Sequence, residues 1–551
     1  MNRSVSWTKY VALALALALV MVLSGCGAAS GGKTSGTAAA SQGGGQAGTA
    51  EGGNLTFALA TSPDTLDPHR SGLAVAVRAI RTIYDNLVVQ LPDGSIKPWL
   101  AKEWSVSEDG KSYTFKLRED VKFHDGTPFN AEAVKYNLDR VIDPVTKAAN
   151  ALALIRPYSS SEVIDEYTIK VNLAAPSQAF LGNLSQALLG IVSPTAAKKY
   201  GDQLGKNPVG TGPFTFVKWD ENADIVVAKN KDYNWGPDTV ENKGAPYIDT
   251  ITFKIVPEEA TRIGSVQSKQ VLAAETVPPQ NIAALKSDPN QQLLQANTVG
   301  LPYTLFFNLR KAPWNDVKVR QAVQSAVDVE SIVKTLYLGN YERAWSALSP
   351  GILGYDKALE GSITPDINRA NQLLDEQGWV KGADGIRVKD GKKLTLKYVD
   401  GSPNREKRND IAAIIQQQLK PLGIAVEVVI TKDVATVIYQ NWDYDLYGNS
   451  QVNSDPNALY AFYHTSAEGE RPTLSGLSDS KIDQLLEQGA VETDTAKRVD
   501  IYSQIQKYLI EQAVILPIYV FPYTVAASKD VQGIKFDSLG YPLFNDVRIQ
   551  Q

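Results

Sequence analysis

The chain has 551 residues, 43% of them hydrophobic, one cysteine and a formal net charge of −5. That length exceeds what one compact core serves, so several domains are expected. The mild acidity argues against a nucleic-acid partner, and a lone cysteine excludes an internal disulfide or a thiolate metal site.

The N-terminus gives an address. Arg3 and Lys9 flank the start of an uncharged run from Val11 to Leu23, too short for the ~20 residues a membrane-spanning helix needs. A positive start followed by a short apolar core reads as a removable export signal over residues 1–25. Leu23-Ser24-Gly25-Cys26 resembles the bacterial lipoprotein box, which implies cleavage before Cys26 and diacylglycerol and palmitate on that residue. Gly27 to Gly53 is almost wholly Gly, Ala, Ser, Thr and Gln. Such a segment buries too little apolar surface to offset its ordering entropy, so 26–53 is read as a lipidated flexible tether. No later apolar run has the length to span a bilayer, so the only expected membrane contact is the lipid.

Beyond the tether, strand and helix signals alternate. Leu55, Phe57 and Leu59 alternate as one face of a strand would, as do Tyr113, Phe115 and Leu117. Asp125-Gly126 signals a turn, Asn130 suits a helix N-cap, and Val134, Leu138 and Val141 follow at helical spacing. Tyr303 to Leu309 reads as a strand, Asp316 as the next N-cap, and Val319, Val323, Ala326 and Val327 as a helix face. Leu394 to Val399, Arg405 to Leu419 and Ala425 to Ile430 form a strand–helix–strand unit with Gly423 as the helix stop. A parallel pair with a right-handed crossover is expected there. The class is α/β with more than one lobe.

The motifs of chemistry are missing. His69, His124 and His464 are scattered and form no HExxH, so no metal site or cofactor is expected. His69 and His124 are read as structural turn residues. Gly210-Thr211-Gly212-Pro213 lacks the lysine of a phosphate-cradling loop, and no GxSxG elbow is present. An enzyme is not expected.

Several stretches together resemble the family 5 extracellular solute-binding proteins, the group of oligopeptide-, dipeptide- and nickel-binding importer components. These are Ser62 to Pro68, Ile83-Tyr84-Asp85-Asn86-Leu87, the run from Pro98-Trp99-Leu100-Ala101 to Pro128-Phe129, Asn207 to Phe214, Phe307-Asn308 with Val319 to Val323, and Val514 to Tyr519. The resemblance covers nearly all of residues 54–551. It implies a type II periplasmic-binding-protein fold, two hinged lobes plus an extra middle domain. Domain I would comprise 54–90, 210–298 and 515–551, domain II 91–209, and domain III 299–514. It further implies a monomer outside the cytoplasmic membrane that hands a small polar solute, peptide-like or similar, to the transmembrane subunits of an ABC permease. The alternatives are nickel or metal-chelate binding, a surface peptide sensor and, more remotely, a lipid-anchored hydrolase.

The resemblance also bears on the ligand. Peptide-binding members place an Asp a few residues before an Asp-Pro, where it pairs with the ligand's ammonium; alignment puts Val452 there, ahead of Asp455-Pro456. Dipeptide binders hold the ligand carboxylate with an Arg after the strand at Leu394–Val399. Ser402 falls there, with Arg405 close by. Where a nickel-chelate member offers a histidine, Tyr447 stands. Trp442, Tyr444, Tyr447, Asn449, Gln451 and Asn453 make an aromatic and amide-rich set suited to stacking and neutral hydrogen bonds.

Overall fold

The computed structural model describes residues 51–550 except 403 and 466–472, and only the backbone of Arg405. The export signal, Cys26 and nearly all of the tether lie outside the described residues.

A seven-stranded mixed sheet runs in the order Gln291–Asn297, Pro522–Ser528, Ala273–Glu275, Asn54–Leu59, Thr250–Ile255, Asp224–Lys229, Phe214–Asp220. Asn54–Leu59 is parallel to both its neighbours. It sits mid-sheet with Ala58 buried as well as Leu55, Phe57 and Leu59, so the one-sided alternation expected becomes burial on both faces. A four-stranded antiparallel sheet, Ala101–Val106, Ser112–Leu117, Thr168–Leu173 and Tyr158–Asp165, carries its own core with helix Ala131–Ile142. Asn130 caps that helix as expected, its side-chain oxygen accepting from Ala133 N–H at 3.0 Å.

The third sheet runs Glu342–Arg343, Ile515–Val520, Gly300–Phe307, Leu446–Val452, Thr395–Gly401, Ala425–Thr431. Its last three strands are mutually parallel, including the expected pair with Thr395 opposite Ala425. Gly423 ends the crossover helix at φ +82°. The helix itself is Arg408–Leu419, not Arg405–Leu419. Glu406 and Lys407 stand at φ +52° and +56°, a left-handed kink that breaks the first turn. Ile515–Val520, expected in the first domain, pairs in this sheet instead. All six of its residues are buried, which requires the cores on both faces of this sheet. The chain returns to the first sheet with Pro522–Ser528.

Two crossovers therefore link the first and third sheets, at 298–299 and at Phe521. They lie side by side, with Thr298 N–H and Oγ–H both donating to the Phe521 carbonyl at 3.1 and 2.8 Å. Paired short crossovers of this kind are where two lobes hinge.

His69 fastens the four-stranded unit to the first sheet. Its Nδ1 accepts from Arg140 Nη1 at 2.8 Å, leaving Nε2–H to donate to the Gly190 carbonyl at 3.2 Å. The same Arg140 pairs with Asp67. Burial first, and then the Arg140 charge, hold the imidazole down to about 4 from its ordinary 6.5. The unfolded chain therefore takes up a proton between about pH 6.5 and 4 that the folded protein refuses. Stability from His69 is complete above 6.5 and is lost as pH falls towards 4, worth about 3 kcal/mol. Urea midpoints at pH 4.5 and 7 should differ less in His69→Asn than in the unaltered chain; an equal difference would contradict this.

Candidate functional site

The cavity follows from how the hinge strands meet. Gly300 opens its strand at φ +130°, where a Cβ would stand 2.4 Å from the Gln451 carbonyl oxygen. Only glycine permits that approach. The end of Leu446–Val452 is thereby drawn against the crossover, and Asn453 N–H donates to the Val299 carbonyl at 3.1 Å. Gln451, Val452 and Asn453 consequently stand between the lobes.

They line a chamber of ≈ 320 Å³ whose walls include Val77, Arg78, Tyr523 and Tyr541 from the first lobe and Tyr303, Glu406, Arg408 and Ser450 from the other. A second chamber of ≈ 450 Å³ lies between residues 150–183 and the segment holding Tyr439, Asp455, Tyr460, Phe462 and Glu487. Asn150, Leu154, Gln451 and Asn453 line both, so the chambers communicate. Their volumes fall in the range of small-molecule sites. The cleft is closed over its far side, where Gln178 N–H donates to the Ala490 carbonyl at 3.2 Å.

Each lobe contributes to the wall of the first chamber an arginine paired with a glutamate, Arg78 and Arg408. In the first lobe, Arg78 Nε donates to Glu275 Oε2 at 2.9 Å, and its guanidinium lies 4.5 and 4.9 Å from the ring centres of Tyr523 and Tyr541. In the other lobe, Arg408 Nε donates to Glu406 Oε2 at 2.9 Å and Nη2 to Ser450 Oγ at 3.2 Å, with the Tyr303 ring 4.3 Å away. Burial, above all, pushes the Tyr303, Tyr519 and Tyr523 phenols far above their usual range, so each remains neutral. What the walls offer is hydrogen bonding, ring faces and fixed cations, which is the equipment of non-covalent capture.

Of the residues singled out in the sequence, the structure brings Gln451, Val452 and Asn453 to the cavity. Val452 lies partly buried against the first-lobe core. Trp442, Tyr444, Tyr447 and Asn449 are not among the residues lining either chamber. Trp442 takes φ +55° beneath Arg310, whose guanidinium is 3.2 Å from its ring centre. Tyr444 is 1% exposed and donates its hydroxyl to the Leu474 carbonyl. Tyr447 stands edge-on to it in the core on the far face of the sheet, and Asn449 pairs in register with Thr304. The side chain of Arg405 lies outside the described residues; Arg408 is the arginine of that turn seen in the wall. Cys26 also lies outside them. Asp455 caps Asn457 N–H at 2.8 Å and grips Arg498 through both oxygens at 2.9 and 2.7 Å. Sequence reasoning missed Arg78, Glu275, Glu406 and Arg408. The one available signal was a charge, Arg78, within the otherwise apolar stretch Leu73–Ile80.

Among the described residues, no group of three or more His, Cys, Asp or Glu is placed to hold a metal, and no helix is long and apolar enough to cross a membrane.

Comparison with known proteins fits this architecture. The family model for bacterial extracellular solute-binding proteins, family 5 Middle, matches residues 95–471. The glutathione-binding protein GsiB of Shigella dysenteriae is 28% identical over 502 residues, 87% of this chain and 91% of that one. NikA from Brucella suis, solved with Fe(III)-EDTA, superposes with a TM-score of 0.79 at 27% identity, covering 90% of this chain and all of that one. DppA from Helicobacter pylori, solved with the peptide STSA, gives 0.78 at 25% identity over 91% and 99%. These neighbours share the mixed α/β, three-domain, type II periplasmic-binding architecture.

Proposed function

Since the chain belongs to the bacterial extracellular solute-binding proteins, family 5, we propose that its two-chambered cleft captures a peptide-like or other polar organic solute and presents it to an ABC-type permease. The observation that carries this reading is the cavity itself, walled by both lobes beside their paired crossovers. A solute held there touches both lobes, so its binding energy favours the closed form, which the permease would read. The similarity to proteins named for glutathione, peptide and a metal chelate supports a small polar solute of this size. No catalytic step is assigned to the chain.

The body works at the outer face of the membrane, tethered through a diacylated Cys26. The lone cysteine directly after a short apolar run supports this. Cys26→Ser should shed the body from the membrane fraction and abolish solute uptake by the cells, while the shed body still binds solute. Unchanged membrane retention would remove the lipid anchor from the account. Unchanged uptake after deletion of the whole chain would remove the importer role.

A further inference from the structure

Given the capture reading, on which this inference rests, the charge of the solute can be read from the walls. Arg78 is 6% exposed, on a helix whose neighbouring Val77, Ala79 and Ile80 are also buried. Its Nε is engaged by Glu275 and Tyr523 and its Nη1 by the Ala74 carbonyl. Its Nη2 makes no hydrogen bond within 3.5 Å to a described residue, the neutral Tyr541 hydroxyl being its polar neighbour, and Arg78 faces the first chamber. Glu275, 2% exposed, holds the guanidinium from behind and does not line the chamber. Arg408 repeats the pattern from the other lobe, with Nε and Nη2 engaged and Nη1 without a partner among the described residues.

The carboxylate of the first chamber is in the opposite state: Glu406 is committed to Arg408. In the second chamber Asp455 is committed to Arg498, while Glu487 accepts from His464 through one oxygen at 3.2 Å and is largely exposed. The first chamber therefore offers open charged donors and a committed acceptor. A ligand ammonium there would meet two guanidinium edges beside an acid already engaged, whereas a carboxylate would complete both arginines with charge-assisted bonds. We propose that the solute is an organic acid whose carboxylate seats on the open Nη2 edge of Arg78. The first lobe then reads the acid group, and Arg408 offers a second anionic seat as the lobes close.

The test uses the purified body and matched probes: glutathione, N-acetylglutamate and N-acetyl-trialanine as free acids, each beside its ester or amide. Calorimetry should find binding among the acids, at least tenfold weaker or lost in the masked forms. Arg78→Gln paired with Glu275→Gln, which buries no lone charge, should weaken the acids about 10- to 100-fold and leave thermal unfolding close to the unaltered body. Arg78→Lys keeps the charge without the planar edge and should fall between. Masked forms binding as well as acids, or acids unaffected by the Arg78 variants, would overturn the inference while capture stands. Binding by neither form also overturns it; capture itself falls only if the body also carries no solute from cell extract.

Discussion

Arg408→Met should abolish capture and unfold the second lobe more easily. The Arg408 and Glu406 side chains are only 17% and 11% exposed. Removing the guanidinium strips a largely buried carboxylate of its Arg408 bonds, at a cost of up to about 3–5 kcal/mol. The Tyr519 hydroxyl and Ser450 Oγ lose a partner too. Stability and binding separate in the double variant Arg408→Met with Glu406→Gln, which buries no lone charge. Its urea midpoint should recover most of the loss, while its solute affinity stays at least tenfold below that of the unaltered body. A double variant that binds normally would remove Arg408 from the site.

Val452→Asp should exchange one ligand class for another. Val452 ends its strand opposite Gly300, lines the first chamber and packs against the first-lobe core. It places an apolar group where related peptide binders are expected to offer an acid. A buried charge without its partner costs about 3–5 kcal/mol, or roughly 10²–10³ in affinity. The chain as it stands should therefore disfavour short peptides with a free ammonium at this end, and favour solutes that are blocked or neutral there. The substitution should gain affinity for free-amine peptides and repel an acidic native solute. Calorimetry with free and N-acetylated peptides on both proteins decides it. Tight binding of free-amine peptides by the unaltered chain, abolished by acetylation, would sink the assignment.

Local rules made much of the fold legible. The N-caps at Asn130 and Asp316, the stop at Gly423 and the parallel pair around Arg408–Leu419 all depend on residues close in sequence. Ile515–Val520 was misplaced because its partner strand, Gly300–Phe307, lies more than 200 residues earlier and no local pattern names it. The site was legible only where a strand end points at the hinge, at Gln451 to Asn453. Farther back along the same strand, Tyr447 packs against a core, and the aromatic set around it belongs to packing. Arg78 and Glu275 are 197 residues apart, so nothing near either announces the pair. The left-handed kink at Glu406 and Lys407 immediately precedes Arg408, which lines the wall, and no local pattern announces it.

Native mass spectrometry of the freshly purified body decides whether it captures a solute. One small organic molecule per chain is expected, held without a covalent bond, absent from the Arg408→Met, Glu406→Gln double variant and recovered chemically intact on denaturation. A body that carries no solute even after exposure to cell extract, or one that releases a cleaved product, would contradict that expectation.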